Sequence, residues 1–220
     1  MSDLERGFAL DSPYSVLHWF DFLCPFCYVG QSRDAVLRRH GLTVIDLPFQ
    51  AHPEIPAGGV LAGPREGPMY VALEREALDA GLVLIWPARL PDSRLALDAS
   101  EWVRRHARAL SNAFNSALFK AHFEEGDNLS DLETIDRHAT VLGIDIEALH
   151  VGLRDGSART DAIGVEALGR RYGVRGTPAW LINRELISGL RPTAQFERLA
   201  LAALRAGKPN SHKGGIHSGI

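Results

Sequence analysis

Cys24 and Cys27 are the only two cysteines among 220 residues, and only Pro25 and Phe26 separate them. That spacing constrains the chain more than any other feature. An apolar, strand-like run from Val16 to Phe22 leads into the pair, and a helix-like run from Ser32 to His40 follows it. If the pair opens that helix, the two residues share a face of its first turn, because positions i and i+3 are neighbours there. Their Cα atoms are then close enough to bridge with ordinary disulfide geometry. The free N–H groups at a helix start also favour a thiolate over a thiol. The placement predicts a pair that closes and opens reversibly, with a first sulfur that is nucleophilic near neutral pH. The same spacing would supply half of a zinc site, which needs four ligands and usually a second pair. There is no second cysteine pair, and the nine histidines offer no H-x₃₋₅-H pair placed to complete such a site. We therefore expect redox chemistry and no metal.

Bulk properties narrow the function classes. The length allows one large domain, or a domain carrying a subdomain, with a substantial core. A net charge of -3 gives no sign of nucleic-acid binding. No window approaches the roughly 20 apolar residues of a membrane span. The start, Met1 to Arg6, is acidic, and no apolar segment with a cleavage site follows it. These features predict a cytoplasmic protein with no membrane partner. A lone C-x-x-C in that compartment points to catalysis or metal binding rather than to a structural staple.

The chain order is informative. Tyr14 to Phe22 reads as a buried strand, and Leu42 to Phe49, with Thr43, Val44 and Ile45, as a second. Strand, helix, strand is a βαβ unit with a parallel pair and a right-handed crossover. Glycines and prolines between Gly58 and Pro68 then mark a loop. From Met69 to about Asp155 the pattern is helical throughout: 70–80, 93–107, the stretch around Ala113 to Ala121, and 144–154. Another helix opens at Ser130-Asp131-Leu132-Glu133, a capping-box pattern. A helix over 158–172 and a hairpin around Asn183-Arg184 follow, and a last helix spans 193–206. With the helical block removed, the order is βαβ followed by αββα. The expected fold is α/β of the thioredoxin type: a mixed central sheet with helices on both faces and an inserted all-helical subdomain. The expected boundaries are 12–60 for the first half with the C-x-x-C, 64–156 for the insertion and 158–207 for the second half. Tails occupy 1–11 and 208–220.

Three stretches carry a resemblance to a known family. They are Asp21 to Gly30, Ala117 to Asp131, and Tyr172 to Ile182 with Ile187-Ser188-Gly189. Together they resemble the DsbA-like branch of the thioredoxin superfamily, and most closely its cytosolic FrnE-like members, over roughly residues 14–205. The resemblance implies a thiol–disulfide oxidoreductase. It makes Cys24 the nucleophile, Cys27 the resolving cysteine, and Pro178 the cis-proline that faces them. It places Pro25, Phe26 and the backbone of Thr177 at the substrate. It implies no cofactor beyond the redox-active disulfide, with glutathione a candidate co-substrate. Partners are then protein or small-molecule thiols and disulfides, and a homodimer is an open assembly. Phe26 stands where FrnE-like sequences often have tryptophan. No histidine lies between the cysteines, so we expect a less oxidising couple than that of the superfamily's periplasmic oxidase. The alternative is a glutathione-dependent isomerase or transferase of the related 2-hydroxychromene-2-carboxylate isomerase and kappa-class type. That branch has serine in place of the first cysteine, and Cys24 argues against it.

Other prominent residues have plainer expectations. Asp21 reads as a solvated or capping carboxylate. Trp19, Trp102, Trp180 and Phe114 read as core or groove wall. His106 and His122 read as satisfied structural histidines, and Arg38-Arg39 and Arg170-Arg171 as solvated helix ends.

Overall fold

Val16, Leu17, Trp19 and Phe20 load both faces of one strand with bulky apolar side chains, and all four are buried. A strand covered on both faces belongs in the middle of a sheet. In the computed structural model, which describes residue 12 and residues 14–207, it does. The predicted tails at 1–11 and 208–220 lie outside the described residues. Strand β1 (Ser15–Phe20) pairs parallel with β2 (Thr43–Pro48) and antiparallel with β5 (Ala179–Ile182). Strand β6 (Glu185–Ser188) closes the hairpin on β5, so the order is β2-β1-β5-β6. Helix α1 (Pro25–Arg39) makes the crossover from β1 to β2. The hairpin turn holds Asn183 and Arg184 at φ 48° and 68°. Such a turn matches the strand twist even without the usual glycine.

Side-chain alternation along β1 assigns the two faces. Val16 packs with Val36 and Leu37 of α1, with Trp180 and Ile182 of β5, and with Phe196 of α8 (Thr193–Ala206). Leu17 and Trp19 point the other way, onto Val165 and Leu168 of α7 (Ser157–Arg171). The fold is thus a four-stranded mixed sheet with helices on both faces, as expected.

The connection from β2 to α7 holds helices α2 (Pro68–Asp79), α3 (Arg94–His106), α4 (Ser111–Lys120), α5 (Leu132–Val141) and α6 (Ile146–Arg154). A third apolar core forms between these helices and the end of β1. It contains Phe20, Phe22, Cys27, Tyr28, Leu97, Phe114 and Phe119. A buried ionic network also joins the two parts. Arg94 of α3 donates to Glu166 of α7, to Asp98 Oδ1 at 3.2 Å and to Gln50 Oε1 at 2.9 Å.

The structure corrects four local expectations. Strand β1 ends at Phe20 rather than Phe22, because Asp21 to Cys24 turn into the helix, closed by Cys24 N–H donating to Asp21 O at 3.1 Å. Helix α1 starts at Pro25, well before Ser32, so Cys24 caps it and Cys27 lies in its first turn. A two-stranded ribbon pairs β3 (Val60–Leu61), within the expected Gly58–Pro68 loop, with β4 (Arg89–Leu90), inside the block that reads as purely helical. Two-residue strands carry too little periodicity to register in sequence. The capping box at Ser130 is not formed: Asp131 is the N-cap of α5, and Ser130 Oγ donates instead to Asp92 O at 3.2 Å.

Candidate active site

Residue types set the geometry at the start of α1. Cys24 is the N-cap, with extended φ and ψ of -83° and 109°. Pro25 occupies the first helical position, where its missing N–H is no loss and its fixed φ is already helical. Cys24 O then accepts from Cys27 N at 2.9 Å and Tyr28 N at 3.1 Å, which fixes the second cysteine one turn below the first. Both are free thiols; Cys24 is half-buried and Cys27 fully buried. Tyr28 anchors the turn from beneath: its hydroxyl donates to Glu124 Oε1 at 2.7 Å and lies 3.0 Å from Val83 O.

The chain returns to this point just before β5. The Thr177–Pro178 peptide is cis. Cys24 Sγ–H donates to Thr177 O at 3.4 Å, across 153 positions of sequence. Thr177 Oγ1 is buried and has no hydrogen-bond partner. Gly30 lets α1 approach this strand: a Cβ there would stand 3.3 Å from the Trp180 ring and 4.0 Å from Pro178 Cβ.

The electrostatics separate the two sulfurs. Burial pushes the Cys24 thiol up, but the Cys27 thiol and the Thr177 hydroxyl beside it outweigh it, and the net shift is downward. Cys27 is pushed well above the ordinary thiol range by burial and by its neighbour Cys24. One cysteine is thus set to ionise and the other to keep its proton. Asp21 opposes the first effect, since its charge raises Cys24. Of the expectation that Asp21 is a solvated or capping carboxylate, the solvated half is wrong and the capping half holds. It is fully buried, accepting from Ala51 N at 2.8 Å and Leu23 N at 3.1 Å, and burial raises its own pKa.

A cavity of about 400 Å³ opens at Cys24, with Phe26, His52, Arg65, Arg175 and Thr177 in its wall. A somewhat larger cavity, about 460 Å³, lies by Gly59, Trp86 and Asn128 and contains neither cysteine. The thiol places the chemistry in the smaller one. Among the described residues, the groups spaced to hold a metal ion contain no cysteine.

The structure places the expected residues Cys24, Pro25, Phe26 and Thr177 in one cavity wall, with Cys27 one turn below and Pro178 next to Thr177; sequence reasoning missed what lies beneath and beside them. His18 Nδ1 sits 2.8 Å from Asp46 Oδ1 and 3.0 Å from Asp34 Oδ2, all in the interior. Its ring stacks on Trp180 at 4.6 Å, and Trp180 Nε1 donates to Asp34 Oδ1 at 2.8 Å. Burial alone would push His18 down, but the two carboxylates raise it to about 9. The signal was present: His18 interrupts the apolar run of β1, and a polar residue there must find partners. Arg38 is not simply solvated, since it pairs with Asp46 at 2.9 Å, and Arg170 lies over the Phe49 ring at 5.2 Å. His122 is buried but not satisfied, for both ring nitrogens lack partners. It sits in a π-turn, Ala121–Glu125, that widens the end of α4.

The sequence matches the DSBA-like thioredoxin domain family over residues 15–200. The chain belongs to this family. The DSBA-like match includes β1, α1 and the hairpin, so the whole site lies within it. Similar solved structures include a probable DsbA oxidoreductase from Streptomyces coelicolor, 22% identical, with a TM-score of 0.76 over 90% of this chain and 93% of that one. A 2-hydroxychromene-2-carboxylate isomerase is 25% identical, with a TM-score of 0.69 over 87% and 95%. The cytosolic disulfide reductase DsbM from Pseudomonas aeruginosa, solved with glutathione, is 18% identical, with a TM-score of 0.61 over 87% and 99%. The uncharacterised protein YwbO of Bacillus subtilis is 22% identical over 186 residues, 81% of this chain and 91% of its own. No helix among the described residues is long and apolar enough to cross a membrane.

Proposed function

We propose that this DSBA-like protein is a thiol–disulfide oxidoreductase acting through Cys24 and Cys27. The observation that carries the reading is the asymmetry of the pair: a half-exposed Cys24 shifted toward the thiolate at a cavity mouth, above a buried Cys27 held as the thiol. The Cys24 thiolate attacks a disulfide sulfur, a mixed disulfide forms, and Cys27 displaces it to close the Cys24–Cys27 bond. Thr177 contributes twice. Its hydroxyl stabilises the thiolate, and its carbonyl lies at the sulfur, where the backbone of an extended substrate would align. Pro178 follows it and shapes the turn. The DsbM likeness supports a cytoplasmic setting and glutathione among the thiol partners.

Insulin reduction in the presence of dithiothreitol tests this reading. Wild type accelerates it, and Cys24→Ser abolishes the acceleration; equal rates for the two would refute the proposal. The isomerase likeness supports a second reading, a glutathione-dependent isomerisation that needs no resolving thiol. Cys27→Ser separates the two, because only dithiol exchange stalls at the mixed disulfide.

A further inference from the structure

The cavity at Cys24 carries positive charge that its own wall does not answer. Arg65 and Arg175 line it together with Cys24, Phe26 and Thr177, and no aspartate or glutamate does. The third basic residue in the wall, His52, already pairs with Glu54 at 2.9 Å. Arg65 is held in place. Its guanidinium lies 5.3 Å from the Trp86 ring centroid and 5.9 Å from that of Tyr70, and these two rings meet edge to face at 5.5 Å. Aromatic faces orient a guanidinium without neutralising it. Glu74 accepts from Trp86 Nε1 at 2.6 Å. Arg65 Nε is buried without a hydrogen-bond partner. A buried donor left unmade is costly, and a ligand acceptor would satisfy it. Arg175 is exposed, two residues before Thr177, on the segment that returns to the thiol.

The geometry points to a low-molecular-weight disulfide bearing carboxylates as the substrate of this cavity, with Arg65 and Arg175 as its carboxylate anchors. This rests on the thiol–disulfide reading above and narrows its substrate class. A volume of about 400 Å³ falls within the range of small-molecule sites, about 300–1,000 Å³. Charge gives the selectivity. An anionic disulfide approaching the Cys24 thiolate meets like charge, and two arginines offset that repulsion where a neutral disulfide needs no such help. The exchange balances as follows. Cys24–S⁻ attacks RS–SR, forming Cys24–S–S–R and releasing RS⁻. Cys27, giving up its proton, attacks Cys24 Sγ and releases a second RS⁻. The Cys27 proton ends on one RS⁻, and the other takes up from solvent the proton that Cys24 released on ionising. One protein disulfide forms as one substrate disulfide is reduced to two thiols.

The experiment uses the reduced full chain under single-turnover conditions. Oxidation of the Cys24–Cys27 pair is timed against 3,3′-dithiodipropionate, a dianion, and against bis(2-hydroxyethyl) disulfide, which is neutral. The readout is the ratio of the two second-order rate constants. Arg65→Gln and Arg175→Gln should each lower that ratio by about tenfold or more, the size of a lost charge-assisted hydrogen bond. In wild type, salt at about 1 M should lower it as well, since the screening length falls to ~3 Å. A ratio unchanged in both variants overturns the proposal, whether the individual rates hold or fall together. A wild-type rate with the neutral disulfide no faster than that of Cys24→Ser would instead sink the redox reading itself, and this proposal with it.

Discussion

A thiol ionises according to what meets the negative charge once the proton leaves. Beside Cys24 the Thr177 hydroxyl is buried without a hydrogen-bond partner and lowers the thiol's pKa, so it is a donor free to meet the thiolate. Removing it while keeping its shape isolates the effect. Thr177→Val should move the midpoint of Cys24 carboxymethylation against pH upward by about one unit, worth ~1.4 kcal/mol. The sign follows from the reactive species. Only the thiolate alkylates, so below the midpoint the rate falls about tenfold per pH unit, and a higher midpoint means slower reaction at neutral pH. A midpoint that stays put would assign the low pKa to Cys27 alone. The same logic explains why Asp21 was misread from sequence. A carboxylate next to a turn is usually solvated, and only the arrival of Ala51 N–H from beyond β2 buries it.

At the scale of elements, two close approaches set how the helices meet their neighbours. Gly169 of α7 lies against Trp19 of β1, where a Cβ would come within 2.7 Å of Nε1. Gly152 of α6 lies against Trp102 of α3, where a Cβ would come within 2.4 Å of Cδ1. In an unconstrained helix, glycine to alanine gains about 1 kcal/mol. Here Gly152→Ala should instead cost about 1–3 kcal/mol through overpacking, read as a lower urea midpoint with an unchanged slope. A higher midpoint would mean that Trp102 moves aside freely. Elements of this length were legible because their periodicity runs for several turns or alternations. Apart from the end of β1 and the start of α1, the strands of the four-stranded sheet, the crossover helix and the hairpin around Asn183 fall where the pattern puts them. The ribbon at Val60 and Arg89 was illegible because two residues have no period, and its partner lies across a helix. Arg65 was illegible for a related reason. Its neighbours Tyr70 and Trp86 are set by the fold of the connection, and no motif marks them.

For the whole molecule, two buried histidines pull stability in opposite directions with pH. His18 has a folded pKa of about 9, above the ordinary value of 6.5, so its contribution is full below pH 6.5 and is lost as pH rises toward 9. His122 is pushed down to about 4 by burial, so the fold holds it neutral. Its contribution is full above pH 6.5 and is lost as pH falls toward 4. Urea midpoints should therefore peak near pH 6.5 and fall on both sides, each limb sloping by at most about 1.4 kcal/mol per unit for one group. His122→Leu should flatten the acid limb and leave the alkaline one; an acid limb of unchanged slope would assign it to other groups. A different consequence follows from the contact between Cys24 and Thr177, which are 153 positions apart. At a synthesis rate of about 5–20 residues per second, roughly 8–30 s separate the two on the ribosome. During that interval the nascent chain carries the dithiol without its Thr177 neighbour, and that part of the asymmetry between its two sulfurs begins only when the last hairpin docks.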